Sequence, residues 1–241
     1  MEEYIKVDIK EGYAVVEFYH PAHNSLHSGM LKQLKEELEG LEKETKVKCI
    51  LLKSGGDRTF CAGANFDEMK AIKGIEDGRK FFSGFAGVIM AMKNSSKLIV
   101  GRIQGKAVGG GVGLIAACDI ALGTKYASIR LSELSIGIGP FVIAPVVERK
   151  IGLSAFSELT LHPKEWLEAD LAKEKGLYAN VFDTTDDLDR YIESYLTELS
   201  SYSKRAIAEN KKMLWHNTDD FESIMAQRAE ISGALVLDLD L

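Results

Sequence analysis

The chain has 241 residues, 46% of them apolar, which is enough to fill the core of one large domain or of a domain with an appendage. Acidic residues exceed basic ones by 36 to 30, and no Lys/Arg cluster is dense enough for a nucleic-acid footprint, so nucleic acid is excluded as the main partner. No apolar run reaches the ~18 residues of a membrane span, and the opening MEEYIKVDIKEG lacks a signal-peptide pattern, so the expectation is a soluble cytoplasmic protein without a membrane partner. Tyr13 to Phe18 and Lys48 to Lys53 are short β-rich runs and predict strands. Between them, Leu26, Met30, Leu34, Leu38 and Leu41 recur every three or four residues, one apolar stripe on an otherwise charged helix. SGGDRTFCAGANFDEM then reads as a loop, and Phe81, Phe85, Ile89 and Met92 mark a second helix. Lys97 to Ile103 is a third strand, and the glycine-rich stretch AVGGGVGLIAACD, Ala107 to Asp119, leads into another helix. Asp119 to Leu122 and Ser128 to Leu131 supply short β-like runs around a turn. From Ser154 helical patterns dominate, and Leu188 to Leu199 carries an amphipathic stripe opened by a capping-box-like Thr184 and Asp187. The expected organisation is an α/β core over 1–185 and a helical region over 186–241.

Cys49, Cys61 and Cys118 are an odd count at wide spacings, without a CxxC pair, and read as reduced, buried thiols rather than a disulfide frame or a zinc site. Cys61 has no histidine near it in sequence and reads as packing rather than as a nucleophile. His20, His23 and His27 cluster at the start of the first helix, but carboxylate ligands at a fixed spacing do not accompany them, so no metal is expected.

The glycine-rich stretch has three readings. Gly111, Gly113 and Ala116 fit the dinucleotide pattern G-x-G-x-x-A, with Glu133 about where a ribose-binding acid could fall; yet that fingerprint belongs in the first strand-to-helix turn of its domain. A P-loop fails, because no Gly-Lys-Ser/Thr follows. The third reading pairs the stretch with Phe60 to Ala64, FCAGA, a second glycine-bearing loop that also runs from a strand into a helix. Free N–H groups from two such loops can converge on one oxygen and hold a developing negative charge. Glycines in either loop can equally serve close packing.

These residues resemble the crotonase, or enoyl-CoA hydratase/isomerase, superfamily. Asn24-Ser25-Leu26 is similar to the family's N-A-L, and FCAGANFDEM to its F-x-A-G-x-D loop, with Asn65 in place of the aspartate. GKAVGGGVGLIAACDIALGTKYASIRLSELSIG is similar to the family's G-x-A-x-G-G-G-x-E-L with the following P-E-x-x-x-G. The resemblance implies a spiral of ββα units with a C-terminal helical region, homotrimers or dimers of trimers, and an acyl-CoA thioester as substrate, with no separate cofactor. It places the oxyanion donors at the N–H groups of Ala64 and Gly110. It also places Ala62, Gly63, Ala64 and Asn65 beside the coenzyme's adenine and pantetheine. Hydratases of this family typically carry two glutamates; here the first position is Gly113 and the second is Glu133, with Ser132 replacing the usual proline. Glu133 is the expected catalytic acid/base, its apolar sequence neighbours Ile129, Leu131, Leu134 and Ile136 predicting a shielded carboxyl. LSELSIGIGPFVIAPVV also resembles bacterial methylglutaconyl-CoA or enoyl-CoA hydratases with glycine at the first position. The expected reaction is hydration of a short or branched 2-enoyl-CoA; the alternatives are double-bond isomerisation with the single Glu133, or a non-catalytic acyl-CoA-binding subunit. A carboxylated substrate is expected to place its charge in space left by Gly113. Phe81, Phe82 and Phe141 are candidates for the acyl pocket, Lys70 reads as a solvated helix lysine, Asp67 as a first-turn acid, and Asp119 as structural.

Overall fold

The computed structural model describes residues 2–239. The order is strand, strand, helix, repeated: β1 (Tyr4–Ile9), β2 (Tyr13–Tyr19) and α1 (Ser28–Gly40); β3 (Cys49–Ser54), β4 (Thr59–Cys61), α2 (Phe66–Lys70) and α3 (Ile75–Asn94); β5 (Leu98–Ile103), β6 (Lys106–Val108) and α4 (Gly110–Ala117); β7 (Ile120–Thr124), β8 (Ile129–Arg130) and α5 (Ala144–Leu161). Then follow α6 (Ala169–Glu174), β9 (Asn180–Phe182), α7 (Thr185–Ser201), α8 (Lys204–Leu214) and α9 (Phe221–Leu235). The first strand of each later unit joins a six-stranded sheet, β1-β2-β3-β5-β7-β9, while the second joins a three-stranded sheet, β4-β6-β8. Apart from the antiparallel β1–β2 pair, neighbouring strands run parallel.

The large sheet is covered on both faces, which explains why its central strands read as apolar runs rather than as an alternation. On one face Ile50, Leu52 and Ile99 belong to the main core, with Met30, Leu34 and Leu38 of α1 and Val88, Ile89 and Met92 of α3. On the other, Cys49, Leu51, Val100 and Leu122 meet the buried stripe Leu188, Ile192, Leu196 and Leu199 of α7. The predicted capping residue does open α7: Thr184 Oγ1 accepts from Asp187 N at 3.1 Å. His27 caps α1 through its imidazole, Nδ1 accepting from Gly29 N and Met30 N.

The helix α4 has no polar face: Gly111 to Ala117 are all buried. A helix apolar all round must sit inside the molecule, and this one is enclosed among α3, α5 and the small sheet. At its far end Asp119 is buried against α8. Its Oδ2 lies 3.0 Å from Lys211 Nζ and accepts from Ile99 N at 2.7 Å, while Oδ1 accepts from Trp215 Nε1 at 2.8 Å. Asp119 is thus structural, as read from the sequence, and it ties the last third of the chain to the sheet.

Candidate active site

The three short strands β4, β6 and β8 lie side by side and point the same way, so the loops leaving their C-terminal ends are neighbours. Those loops carry Ala62 to Ala64, Gly109 and Gly110, and Ser132 and Glu133. Ligand crevices of parallel sheets form outside such strand ends. Here they open onto a cavity of about 200 Å3, walled by these loops and by Met69, Phe82, Phe85, Ile138, Phe141, Val142 and Ile143, with Ser232 from α9.

The first two loops touch through glycine. Gly63 has φ +90°, and a Cβ there would lie 3.0 Å from Val108 O and 3.6 Å from Gly110 N, so the close approach requires a residue with no side chain. The parallel bridge between Leu26 and Ala64 fixes the loop from behind: Leu26 N donates to Gly63 O at 2.9 Å and Asn65 N to Leu26 O at 3.1 Å. That pattern leaves the Ala64 N–H pointing out of the bridge. Among the described residues neither it nor the Gly110 N–H, at the first position of α4, donates a backbone hydrogen bond. Two free amides from adjacent loops, one of them at a helix N-terminus, are the groups an anion-stabilising pair needs.

Glu133 stands across from them, in a 3-10 turn that begins at its own position. Its carboxylate rests on the bare α-carbon of Gly109, where a Cβ would be 2.8 Å from Oε1. The residue as a whole is half-buried, whereas Oε2 is enclosed and meets no hydrogen-bond partner. Loss of water pushes the carboxyl up to about 7, opposed only weakly by its own backbone N–H. A carboxyl poised near neutrality can both take and return a proton. Of the sequence neighbours that suggested this shielding, Ile136 lines the same cavity and Ile129 and Leu131 are buried, whereas Leu134 is 47% exposed. Gly109 and the other cavity walls complete it.

Gly109 itself has φ +53° and ψ −119°, a conformation open to glycine alone. Gly109→Ala is therefore expected to lower stability by about 1–3 kcal/mol and to displace the Glu133 carboxylate. Thermal unfolding and kcat check the two effects separately.

The other expected site residues divide. Ala62, Gly63, Phe82 and Phe141 line the cavity; Phe81 is buried in the cluster with Met69, Ile138 and Val236. Asn65 is not on the cavity wall, because its Oδ1 caps α2 by accepting from Glu68 N at 2.8 Å. Asp67 lies in the first turn of α2, and Lys70 is exposed over the Phe66 ring. Gly113 is also off the wall, and the space expected beside it is filled. A Cβ at Gly113 would lie 2.5 Å from Ile143 Cγ2 and 3.4 Å from Ile89 Cδ1. A substrate carboxylate has no room there, and among the described residues no lysine, arginine or histidine lines the cavity to receive one. Gly109, Phe85, Ile138, Val142 and Ile143 were not anticipated; the triple glycine hinted at the first, and nothing local marked the others.

Cys61 is buried, its Sγ accepting from Gly63 N at 3.4 Å, and burial pushes its thiol up to about 12, which leaves it protonated and unreactive. His20 and His27 both reach Glu3, at 3.3 and 2.9 Å. Among the described residues no helix is long and apolar enough to cross a membrane.

This geometry suits a class of enzyme that holds a negative charge developing on a carbonyl oxygen beside a single carboxyl. The family model described as "Enoyl-CoA hydratase/isomerase" matches residues 8–233, and the chain belongs to that family. It is 28% identical to the bacillaene synthase dehydratase PksH of Bacillus subtilis over 87% of this chain and 80% of the relative. It is 31% identical to the short-chain-enoyl-CoA hydratase of Clostridium acetobutylicum over 73% of this chain and 68% of that protein. The fold is that of the crystallised enoyl-CoA hydratase of Bacillus halodurans, with a TM-score of 0.88 at 21% identity over 97% of this chain and 95% of that one. The spiral of ββα units is therefore the crotonase fold, and membership of the enoyl-CoA hydratase/isomerase family implies a CoA thioester as substrate.

Proposed function

We propose that this enzyme adds water across the 2,3 double bond of a short 2-enoyl-CoA, or removes it, with Glu133 as its only acid/base. The observation that carries the reading is the enclosed, unpartnered Oε2 of Glu133 on the same cavity as two residues, Ala64 and Gly110, whose main-chain amides donate no backbone hydrogen bond. In the hydration direction the Glu133 carboxylate takes a proton from water as the water oxygen bonds to C3. The C2=C3 electron pair moves toward the thioester, and the enolate oxygen is held by the N–H groups of Ala64 and Gly110. The Glu133 carboxylic acid then gives its proton to C2, the carbonyl re-forms, and the carboxylate is restored. One carboxyl serves because the two transfers are sequential and opposite. Ala62 and Gly63, in this reading, run beside the coenzyme arm, the chain assembles as a homotrimer or dimer of trimers, and it works in the cytoplasm.

Ile143 favours a second reading, double-bond isomerisation. It fills the place next to Gly113 with an apolar group, so no second acid orients a water. Moving a proton between C2 and C4 needs only Glu133 and the enolate site. Turnover of crotonyl-CoA and a 3-enoyl-CoA in oxygen-18 water separates the two. Label in a 3-hydroxyacyl product supports hydration, and shift of the double bond without label supports isomerisation. A wild-type enzyme that binds these thioesters and changes none of them overturns both.

A further inference from the structure

We propose that Ile143 determines which acyl groups the cavity accepts, by walling it beside the third carbon of the acyl chain. The inference deepens the reading above and depends on Gly110 marking the thioester oxygen. Gly110 and Gly113 are three residues apart on α4 and so share a face, about 4.5 Å apart along the helix axis. If the acyl chain runs inward along α4, a group packed at Gly113 lies just under one helical turn deeper than Gly110, which in this proposal sets it beside C3.

The group packed there is Ile143. Its Cγ2 occupies space that any side chain at position 113 would need, and it lines the cavity while Gly113 does not. The acyl group therefore meets the isoleucine, and position 113 acts only by having no Cβ. The wall is fixed from both ends. Ile143 is 3% exposed, its carbonyl accepts from Val147 N at 3.0 Å, and Pro145 stiffens the first turn of α5 directly after it. On the far side Ile89 of α3 closes on the same point. A β-branched side chain held this way has little rotamer freedom with which to make room.

Adding a methyl to C3 of the substrate pushes it into this wall, and shortening the wall admits it. The measurement is the ratio of kcat/KM for 3-methylcrotonyl-CoA to that for crotonyl-CoA, compared between variants so that intrinsic reactivity cancels. Ile143→Ala is expected to raise the ratio about tenfold or more, with Ile143→Val between, the range that one methyl decides in an apolar pocket. An unchanged ratio overturns the proposal. The packing is read separately by thermal unfolding: Gly113→Ala should destabilise the wild type and cost much less in an Ile143→Ala background. Equal costs in the two backgrounds overturn the pairing. If wild type turns over neither thioester, the proposed reaction is wrong, and the wall is then judged by binding of butyryl-CoA and 3-methylbutyryl-CoA. The affinity ratio still shifts toward the branched ligand in Ile143→Ala if the wall stands, and stays fixed if it does not.

Discussion

Replacing Glu133 by glutamine is expected to lower kcat by about 10²- to 10⁴-fold, the usual share of a positioned acid/base, while binding of a saturated acyl-CoA is kept. The wild-type pH profile should show one ionisation, with activity falling as pH drops below about 7, because the proton acceptor is the carboxylate and its carboxyl is pushed up to that value. The same displacement predicts an effect on stability with a defined sign. A carboxyl raised in the folded state contributes stability that is fully present below its ordinary range and lost as pH rises through the folded value. Glu133→Gln removes this penalty. The variant should melt higher than wild type at pH 8 and nearly level with it at pH 4, and the gap should open between the ordinary value of 4.5 and about 7. Equal melting temperatures at pH 8 would show that the carboxyl is well solvated in the folded protein.

Asp119→Ala should be the most destabilising of the substitutions considered, by about 3–5 kcal/mol, because it strands a buried cation. The side chains of Asp119 and Lys211 are 4% and 3% exposed. Without the carboxylate the Lys211 ammonium keeps only the carbonyl of Lys97, at 2.8 Å, and Trp215 Nε1 and Ile99 N lose their acceptor. Burial already holds the Lys211 ammonium below the usual lysine range, and the Asp119 charge is the chief group opposing that shift. Lys211→Met should cost less, since Asp119 retains two N–H donors and the methionine fills the same volume. Urea unfolding measures both; the midpoint should move while the slope stays constant.

The helices and the central strands were legible because their periodicities are strong. The stripe from Met30 to Leu38 and the runs at Tyr13 and Lys48 reflect burial that every turn or every residue repeats. β1 was not, because YIKVDI mixes charge with its apolar residues and sits at a sheet edge, paired only with β2. β4 reads as loop in the sequence and β6 as part of the glycine stretch, since three residues are too few to show an alternation. Of the second sheet, which places the site, only β8 shows in the residues themselves, as the β-like run Ser128 to Leu131, and the ββα units come from the resemblance. Motif resemblance and the physics of free amides point to Ala64, Gly110 and Glu133 in the sequence. They do not point to the environment of Gly113, because Ile143 lies far along the chain and nothing near either residue records their contact.

Both proposed donors to the thioester oxygen are main-chain amides, held by the Leu26–Ala64 bridge and the start of α4. Short of proline, no side-chain replacement removes such a group, so an alanine scan passes over half of the proposed machinery. The part that grips and activates the thioester is inherited with the fold, while the part that moves protons rests on a few exchangeable side chains. In the proposed reading, a chain with glycine at position 113 in place of an acid still keeps the groups that would hold the substrate in the reactive state. Its chemistry is thereby free to drift between reactions that share one enolate.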